Sequence, residues 1–133
     1  MWEWEVMTDI KTLETKKYAE VEPYIGNGKP TIIAFGMSHC YSCLAMSKIF
    51  SEILTEYPEY QIFSVDGQKE RLILRDKYGL KLMPVQLFFD AEGHEVLRHE
   101  GAYKKPVLEI IMKKHGFGSY WYKREGNRWK HKI

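Results

Sequence analysis

Cysteine is scarce in this sequence, which contains only two among 133 residues. Two cysteines exclude a disulfide-rich fold and leave a zinc site short of thiolates, although the five histidines could complete one. No apolar run approaches the roughly 18 residues that a membrane-spanning helix needs. Because 44% of the residues are hydrophobic, the chain can bury a core without disulfide support, and its length suits one domain.

A strong excess of one charge is also missing. Twenty Lys and Arg residues face 18 Asp and Glu residues, for a net charge of +2. This balance argues against a dedicated nucleic-acid binder. The N-terminus, "MWEWEVMTDI", carries acids where a secretory signal needs a basic region and an apolar stretch. We therefore expect a cytoplasmic protein by default, or an extracytoplasmic (periplasmic) one if a leader has been removed.

The C-terminal block 117–133 differs in composition from the rest of the chain. It mixes four aromatic residues after Gly118 with five Lys or Arg residues and one acid, for a local net charge of +4. The segment Glu125–Asn127 can turn a hairpin, which we expect to pack on the domain through Trp121 and Trp129. A docking surface for a protein partner is one alternative, and a nucleic-acid or anionic membrane surface is another.

The hydrophobic pattern predicts a strand–helix–strand unit near the middle of the chain. "TIIAF" (31–35) is typical of a central strand that is buried on both faces. "YQIFSVD" (60–66) predicts a second strand, and Pro58 ends the helix between them. That helix is indicated by apolar residues at three- and four-residue steps: Met46, Ile49, Phe50, Ile53, Leu54 and Tyr57. So short a connection implies parallel strands with a right-handed crossover.

The second half of the chain predicts a helix, a β-hairpin and a last helix. The first helix covers about 69–78 and is ended by Gly79. "LMPVQLFFD" (82–90) and "EVLRHE" (95–100) predict antiparallel strands, followed by the amphipathic helix "VLEIIMKKH" (107–115). The combination predicts an α/β fold with a mixed central β-sheet flanked by helices.

Two further elements are predicted at the N-terminus. "WEWEV" (2–6) alternates apolar and acidic residues, as a half-buried strand does. Thr8 and Asp9 can cap a helix that follows this strand. The apolar positions of that helix are Ile10, Leu13, Tyr18 and Val21.

Both cysteines lie in "GMSHCYSC" (36–43), where the first buried strand gives way to the amphipathic helix. At the start of the helix, unpaired N–H groups and the helix dipole favour an anion, so the pKa of the Cys40 thiol should be lowered. Cys43, one turn further on, faces the same side. Such a dithiol can attack a partner disulfide through Cys40 and resolve the mixed disulfide through Cys43.

Two other interpretations of the cysteine pair stay open at this point. One is a purely structural bridge, but a Cys-x-x-Cys loop is so short that closing it stabilises little. The other is a metal ion shared by Cys40, Cys43 and His39. The position at the start of a helix favours redox chemistry over both.

The dipeptide Met83-Pro84 strengthens the redox interpretation. A proline that opens an apolar strand indicates a bend or a cis peptide bond, and it cannot donate to the strand ladder. An exposed strand edge beside a reactive dithiol could bind an extended peptide by β-augmentation. A simple strand-initiating proline is the alternative.

These features together resemble the thioredoxin fold over about residues 29–115. The motifs that carry the resemblance are "TIIAFGMSHCYSC", "FSVD" and "DKYGLKLMPVQLFFDAEGHEVLRHEGAY". The resemblance implies that Cys40 is the nucleophile and Cys43 the resolving thiol. It implies that Pro84 is a cis-proline against the active site. Met83 would offer its backbone to a bound peptide, and Gly101 would flank the substrate groove.

Several positions depart from the usual pattern of the family. His39 stands where a Trp commonly precedes the first cysteine, and Tyr41-Ser42 replaces a Gly-Pro pair. The resemblance places Ala34 where thioredoxin has a buried Asp, and Phe63 where it has a Lys. We therefore expect a divergent member, in which a charged His39 would favour the Cys40 thiolate and proton transfer to Cys43 needs another route. The candidate substrate-binding residues are His39, Tyr41, Ser42, Met83, Pro84 and Gly101.

The sequence thus predicts a thioredoxin-like domain at 1–116 with a basic, aromatic extension at 117–133. The predicted function is thiol–disulfide oxidoreductase, with no cofactor and no bound metal. Its partners would be a disulfide-bearing substrate and an electron-donor reductase, and we expect a monomer. The main rival is a non-catalytic thioredoxin-fold binding module that holds a metal ion through Cys40, Cys43 and His39.

Overall fold

The computed structural model describes residues 13–37, 40–81 and 83–117, and the backbone of 122–125 and 128–131. These residues form strands, four α-helices and one 3-10 turn. The strands are β1 (Thr15–Lys16), β2 (Thr31–Gly36), β3 (Gln61–Asp66), β4 (Val85–Phe89), β5 (Glu95–Glu100), β6 (Tyr122–Glu125) and β7 (Arg128–His131). The helices are α1 (Tyr18–Val21), α2 (Tyr41–Glu56), α3 (Arg71–Tyr78) and α4 (Lys105–Lys114), with the 3-10 turn at Glu22–Tyr24.

Five strands form one mixed sheet in the order β1-β3-β2-β4-β5. The first three run parallel, whereas β4 is antiparallel to both β2 and β5. The parallel β2–β3 pair joined by α2 is the predicted strand–helix–strand unit, and β4–β5 is the predicted hairpin. The predicted α/β fold with a mixed central sheet flanked by helices is therefore confirmed.

Helices cover both faces of the sheet, which explains why β2 is buried from Thr31 to Phe35. Ile32 and Ala34 face α2 and α4, while Ile33 and Phe35 face α1 and α3. The α2/α4 face is completed by Leu13, Met46, Phe50, Ile53, Leu54, Ile62, Phe88, Leu108, Met112 and Phe117. The opposite face is completed by Tyr18, Val21, Val65, Leu74, Tyr78, Leu80, Val85, Leu87 and Phe89. Burial of these two apolar layers is the main favourable term for the fold.

Helix α3 ends at Gly79, as the sequence predicted. Gly79 has a left-handed φ of 66°, and its N–H donates to the carbonyl of Arg75 at 3.1 Å. The N–H of Leu80 donates to the carbonyl of Leu74 at 2.9 Å, which satisfies a second unpaired carbonyl of the last turn. This tight stop directs the chain toward Met83 and Pro84.

The predicted N-terminal helix is wrong within the described residues. Thr15 and Lys16 instead pair with β3 as a parallel edge strand, and helix begins only at Tyr18. The apolar residues do not share one helical face, because Leu13 packs with the α2/α4 layer and Tyr18 with the α1/α3 layer. The predicted strand at 2–6 and the start of that helix lie outside the described residues.

The C-terminal block contains the predicted hairpin, because β6 and β7 pair antiparallel with Glu125 opposite Arg128. The side chains of 118–133, including Trp121 and Trp129, lie outside the described residues. The division between 1–116 and 117–133 stays a prediction, and Phe117 itself is buried in the core. In the part of the chain that the structure describes, no helix is long and apolar enough to cross a membrane.

Candidate active site

Cys40 is the N-cap residue of α2. Its backbone is extended (φ −101°, ψ 110°), and its Sγ accepts a hydrogen bond from the N–H of Cys43 at 3.3 Å. The Ser42 hydroxyl lies 3.8 Å from the same sulfur. A free thiolate at this position would receive the same N–H and the positive end of a sixteen-residue helix.

Cys40 and Cys43 form a disulfide, with their Cα atoms 5.1 Å apart. The two residues differ in exposure: Cys40 is partly exposed, whereas Cys43 is only 8% exposed. Gly36, the last residue of β2, makes room for the buried member. A Cβ at Gly36 would lie 3.1 Å from the Cys43 Cβ and 3.4 Å from its Sγ. An approaching molecule therefore meets Cys40 first.

The Met83–Pro84 peptide bond is cis, and Pro84 is buried beside Cys43. The carbonyl of Pro84 accepts a hydrogen bond from the N–H of Gly101 at 2.7 Å. Gly101 has a φ of 104°, which a residue with a side chain adopts only with strain. Its own carbonyl accepts from Nε2 of Gln86 at 3.0 Å. Pro84, Gly101 and Gln86 are thus joined by hydrogen bonds, and Pro84 and Gln86 line the same small pocket as Cys43.

A polar row crosses the sheet beneath the disulfide. Ser64 on β3 and Gln86 on β4 both lie opposite Ala34, and His99 on β5 lies opposite Gln86. Gln86 is completely buried, and the ring of His99 stacks on Tyr103 with centroids 3.6 Å apart. Burial raises the pKa of Tyr103. This row brings the hydrogen-bonding groups of Ser64 and Gln86 to the pocket that Cys43 lines.

A surface cleft of about 240 Å³ opens beside the buried cysteine. Its walls are Thr15, Gly36, Met37, Cys43, Leu44, Ser47, Ser64 and Asp66. Leu44 and Met37 are exposed apolar side chains at this cleft, and Tyr41 is 89% exposed at the start of α2. Exposed apolar side chains beside the cysteine pair suit contact with another molecule.

The described residues contain no group of three His, Cys, Asp or Glu side chains that could hold a metal ion. His39, which the rival interpretation requires, lies outside the described residues. Within the described pair, each sulfur is bonded to the other.

Residues 18–116 match the family of thioredoxin-like domains. This stretch is well over half of the chain, and it contains both cysteines, the cis-proline and Gly101. The chain belongs to the thioredoxin-like family. A thioredoxin-like fold with a Cys40–Cys43 disulfide supports a redox role of the thioredoxin-like type.

Solved thioredoxins from three organisms have similar structures. The thioredoxin of Nicotiana alata has a TM-score of 0.67 and 21% identity, covering 80% of this chain and 94% of that chain. The thioredoxin of Fasciola hepatica has a TM-score of 0.63 and 25% identity, covering 79% and 98%. That of Malassezia sympodialis has a TM-score of 0.64 and 19% identity, covering 79% and 91%. The high coverage shows that the thioredoxin-like unit is most of this chain.

A curated relative is similar at the level of sequence. Monothiol glutaredoxin-S17 of Arabidopsis thaliana is 28% identical over 93 residues. The match covers 70% of this chain but only 18% of the relative. This thioredoxin-like chain therefore spans less than a fifth of that protein.

The structure brings most of the predicted site residues of this thioredoxin-like protein to one end of the sheet. Cys40, Tyr41 and Ser42 lie at the α2 N-terminus, with Pro84 beside Cys43 and Gly101 bonded to Pro84. Met83 is partly buried and packs with the α1/α3 layer. The contacts of these residues with a substrate stay predictions.

Sequence reasoning missed two residues of this thioredoxin-like site, Gly36 and Gln86. Gly36 had a readable signal, because a glycine at the end of a β-branched strand often permits a close approach. The sequence also contains a signal for Gln86, which is the single polar residue inside the apolar run "VQLFF". Its neighbours could not be read from the sequence, because they depend on the register between β2 and β4.

Proposed function

We propose that this protein is a thiol–disulfide oxidoreductase that acts on the disulfides of proteins or small molecules. The observation that carries the proposal is the asymmetric cysteine pair. Cys40 caps α2 and is partly exposed, whereas its bonded partner Cys43 is buried. This arrangement gives one sulfur to the substrate and keeps the other for the second step.

In the reducing direction, the Cys40 thiolate attacks one sulfur of the substrate disulfide. The substrate S–S bond breaks, its second sulfur leaves as a thiolate, and Cys40 is held in a mixed disulfide. Cys43 then loses its proton and attacks the Cys40 sulfur. The remaining substrate sulfur leaves with the electron pair, and the Cys40–Cys43 disulfide closes. Two electrons have passed from the dithiol to the substrate, and an electron-donor reductase returns the protein to the dithiol.

The N-terminus of α2 supports the first step through electrostatics. The N–H of Cys43 already donates to the Cys40 sulfur at 3.3 Å, and a thiolate accepts such a bond more strongly than a neutral sulfur. The helix dipole adds a favourable potential at the same point. Cys40 is therefore the better nucleophile and also the better leaving group when Cys43 attacks it.

The surroundings of Cys40 support an extended peptide as the substrate. β4 is paired on both sides, but Met83 lies before its first residue and is in the register of neither β2 nor β5, so its backbone is available to an extended peptide. Gly101 presents no side chain on the other side of the groove. Exposed Tyr41 offers an aromatic surface for the residues that flank a substrate cysteine. We propose that the protein performs this exchange as a monomer.

A disulfide-reduction assay tests the proposal. The purified protein is mixed with insulin and a dithiol donor, and insulin reduction is followed by precipitation. Wild type should accelerate the reaction, and Cys40→Ser should abolish the acceleration. Cys43→Ser should keep only a single stoichiometric attack.

The metal content of the same purified protein is measured as well, to separate the exchange function from the metal-holding binding module. Absence of acceleration, together with about one retained metal ion per chain, would contradict the proposal and favour the metal-holding binding module.

A further inference from the structure

Gln86 has a buried oxygen that lacks a partner among the described residues. Its Nε2 donates to the Gly101 carbonyl, but its Oε1 has no hydrogen bond although the side chain is completely buried. Buried polar atoms nearly always have a protein or water partner, so such an acceptor marks a place where a donor belongs.

The Gln86 side chain shares a small pocket with Cys43. The pocket has a volume of about 20 Å³. Beside these two residues its walls include Ala34, Ser47, Ser64 and Pro84. A site of that size with several polar groups accommodates one water molecule.

This pocket shares its wall with the surface cleft. Cys43, Ser47, Ser64 and Gly36 line both spaces, and Asp66 lines only the cleft. Serine hydroxyls both donate and accept, so they can pass a proton from one side to the other. The polar groups that could carry a proton thus run from beneath Cys43 to the protein surface.

We propose that Gln86 is a positioning residue that binds one water molecule beside Cys43, and that this water takes the proton of the Cys43 thiol during resolution. The proposal rests on the proposed exchange function and names its proton route. The Cys43 proton needs such an acceptor because Ala34, which lies opposite Gln86 on the adjacent strand β2, carries no group that can accept a proton.

The Cys43 S–H bond breaks and its proton passes to the water, while the Cys43 sulfur forms a bond to the Cys40 sulfur. The bond between Cys40 and the substrate sulfur breaks, and the substrate leaves as a thiolate. The proton moves over the hydroxyls of Ser47 and Ser64 to solvent in the cleft, and the substrate thiolate takes a proton from solvent.

The titratable groups near this route are few among the described residues. His99 lies opposite Gln86 on β5 and stacks on Tyr103, and Asp66 faces the cleft. None of the three lines the pocket that Gln86 and Cys43 share.

The test separates the two steps of exchange. The reduced protein is mixed with an aromatic disulfide whose thiolates are coloured, so that attack by Cys40 and resolution by Cys43 release one thiolate each. Gln86→Met keeps the side-chain length but removes the acceptor. It should slow the second release by about tenfold or more, since proton transfer by a positioned group contributes at least that much. The first release should change by less than about twofold, because Cys40 is unaffected.

Two further variants keep the result interpretable if Gln86→Met packs poorly. Leu87→Met alters the neighbouring β4 residue on the opposite face of the sheet and should leave both releases at their wild-type rates. Gln86→Glu keeps an oxygen toward the pocket and adds a carboxyl group. It should restore the second release and give it one additional titration in the pH profile.

Each outcome is decisive. A second release with the wild-type rate and pH profile in Gln86→Met would overturn the inference, and so would a Gln86→Glu rate as slow as that of Gln86→Met. If wild type releases neither thiolate, the proposed function itself fails. Normal wild-type exchange with an unaffected Gln86→Met removes only the proton route.

Discussion

At the scale of single residues, Gly36 sets how closely Cys43 approaches the end of β2. The proposed disulfide exchange needs Cys43 buried yet within bonding distance of Cys40. The missing side chain at Gly36 leaves that space, since a Cβ there would lie 3.1 Å from the Cys43 Cβ. The backbone of Gly36 is also held in place, because its carbonyl accepts a hydrogen bond from the N–H of Gly67 at 2.7 Å.

Gly36→Ala should therefore destabilise the oxidised protein. Overpacking of a tight core position costs about 1–3 kcal/mol. The reduced protein should lose a similar amount, because rotation of the Cys43 side chain moves its Sγ but leaves the closer Cβ contact unchanged. Urea unfolding of both redox forms measures the two differences. An unchanged unfolding midpoint in the oxidised form would contradict the close packing of Gly36 against Cys43.

At the scale of elements, the turn from β5 into α4 holds one wall of the site. Gly101 is the residue that makes this turn, with a φ of 104° and a hydrogen bond from its N–H to the carbonyl of Pro84. Gln86 binds the Gly101 carbonyl from β4. The Pro84–Gly101 contact is therefore held by the β4–β5 hairpin, and the cysteines are held separately by β2 and α2.

Gly101→Ala should lower both stability and exchange activity. A side chain at this φ costs about 1–3 kcal/mol of backbone strain, and relief of that strain would shift the groove wall. Gly28→Ala is the matched control. Gly28 has a similar φ of 99° with open space around its Cα, and it lies at the opposite end of β2 from Cys40.

Both glycine variants should unfold at lower urea concentration than wild type, but only Gly101→Ala should slow disulfide exchange. Equal exchange rates in the two variants would show that the Gly101 turn does not shape the substrate groove.

At the scale of the whole molecule, most of the architecture could be predicted from hydrophobic periodicity and turn residues. The continuous apolar strand 31–35, the amphipathic helix after Cys43 and the hairpin strand 95–100 all have strong local patterns. The junction of strand and helix also placed Cys40 at a helix start. These features depend on short stretches of sequence, so a single sequence reveals them.

Features that depend on long-range packing could not be predicted in the same way. The apolar spacing of Leu13 and Tyr18 suggested one helix, but the edge strand between them sends the two side chains to opposite faces of the sheet. Gln86 comes beneath Cys43 only through the register of β4 on β2. Such cross-strand neighbours are set by the complete sheet and not by the local sequence.

A pair of trapping experiments tests whether Cys40 is the attacking sulfur and Cys43 the resolving one. Reduced Cys43→Ser and Cys40→Ser proteins are incubated with excess glutathione disulfide, and the adducts are measured by intact mass. Rapid, nearly complete adduct formation is expected on Cys40 in Cys43→Ser, because that sulfur is partly exposed at the start of α2. Slow labelling is expected in Cys40→Ser, where Cys43 is buried. Equal labelling of the two variants, or faster labelling at Cys43, would show that Cys40 is not the attacking sulfur.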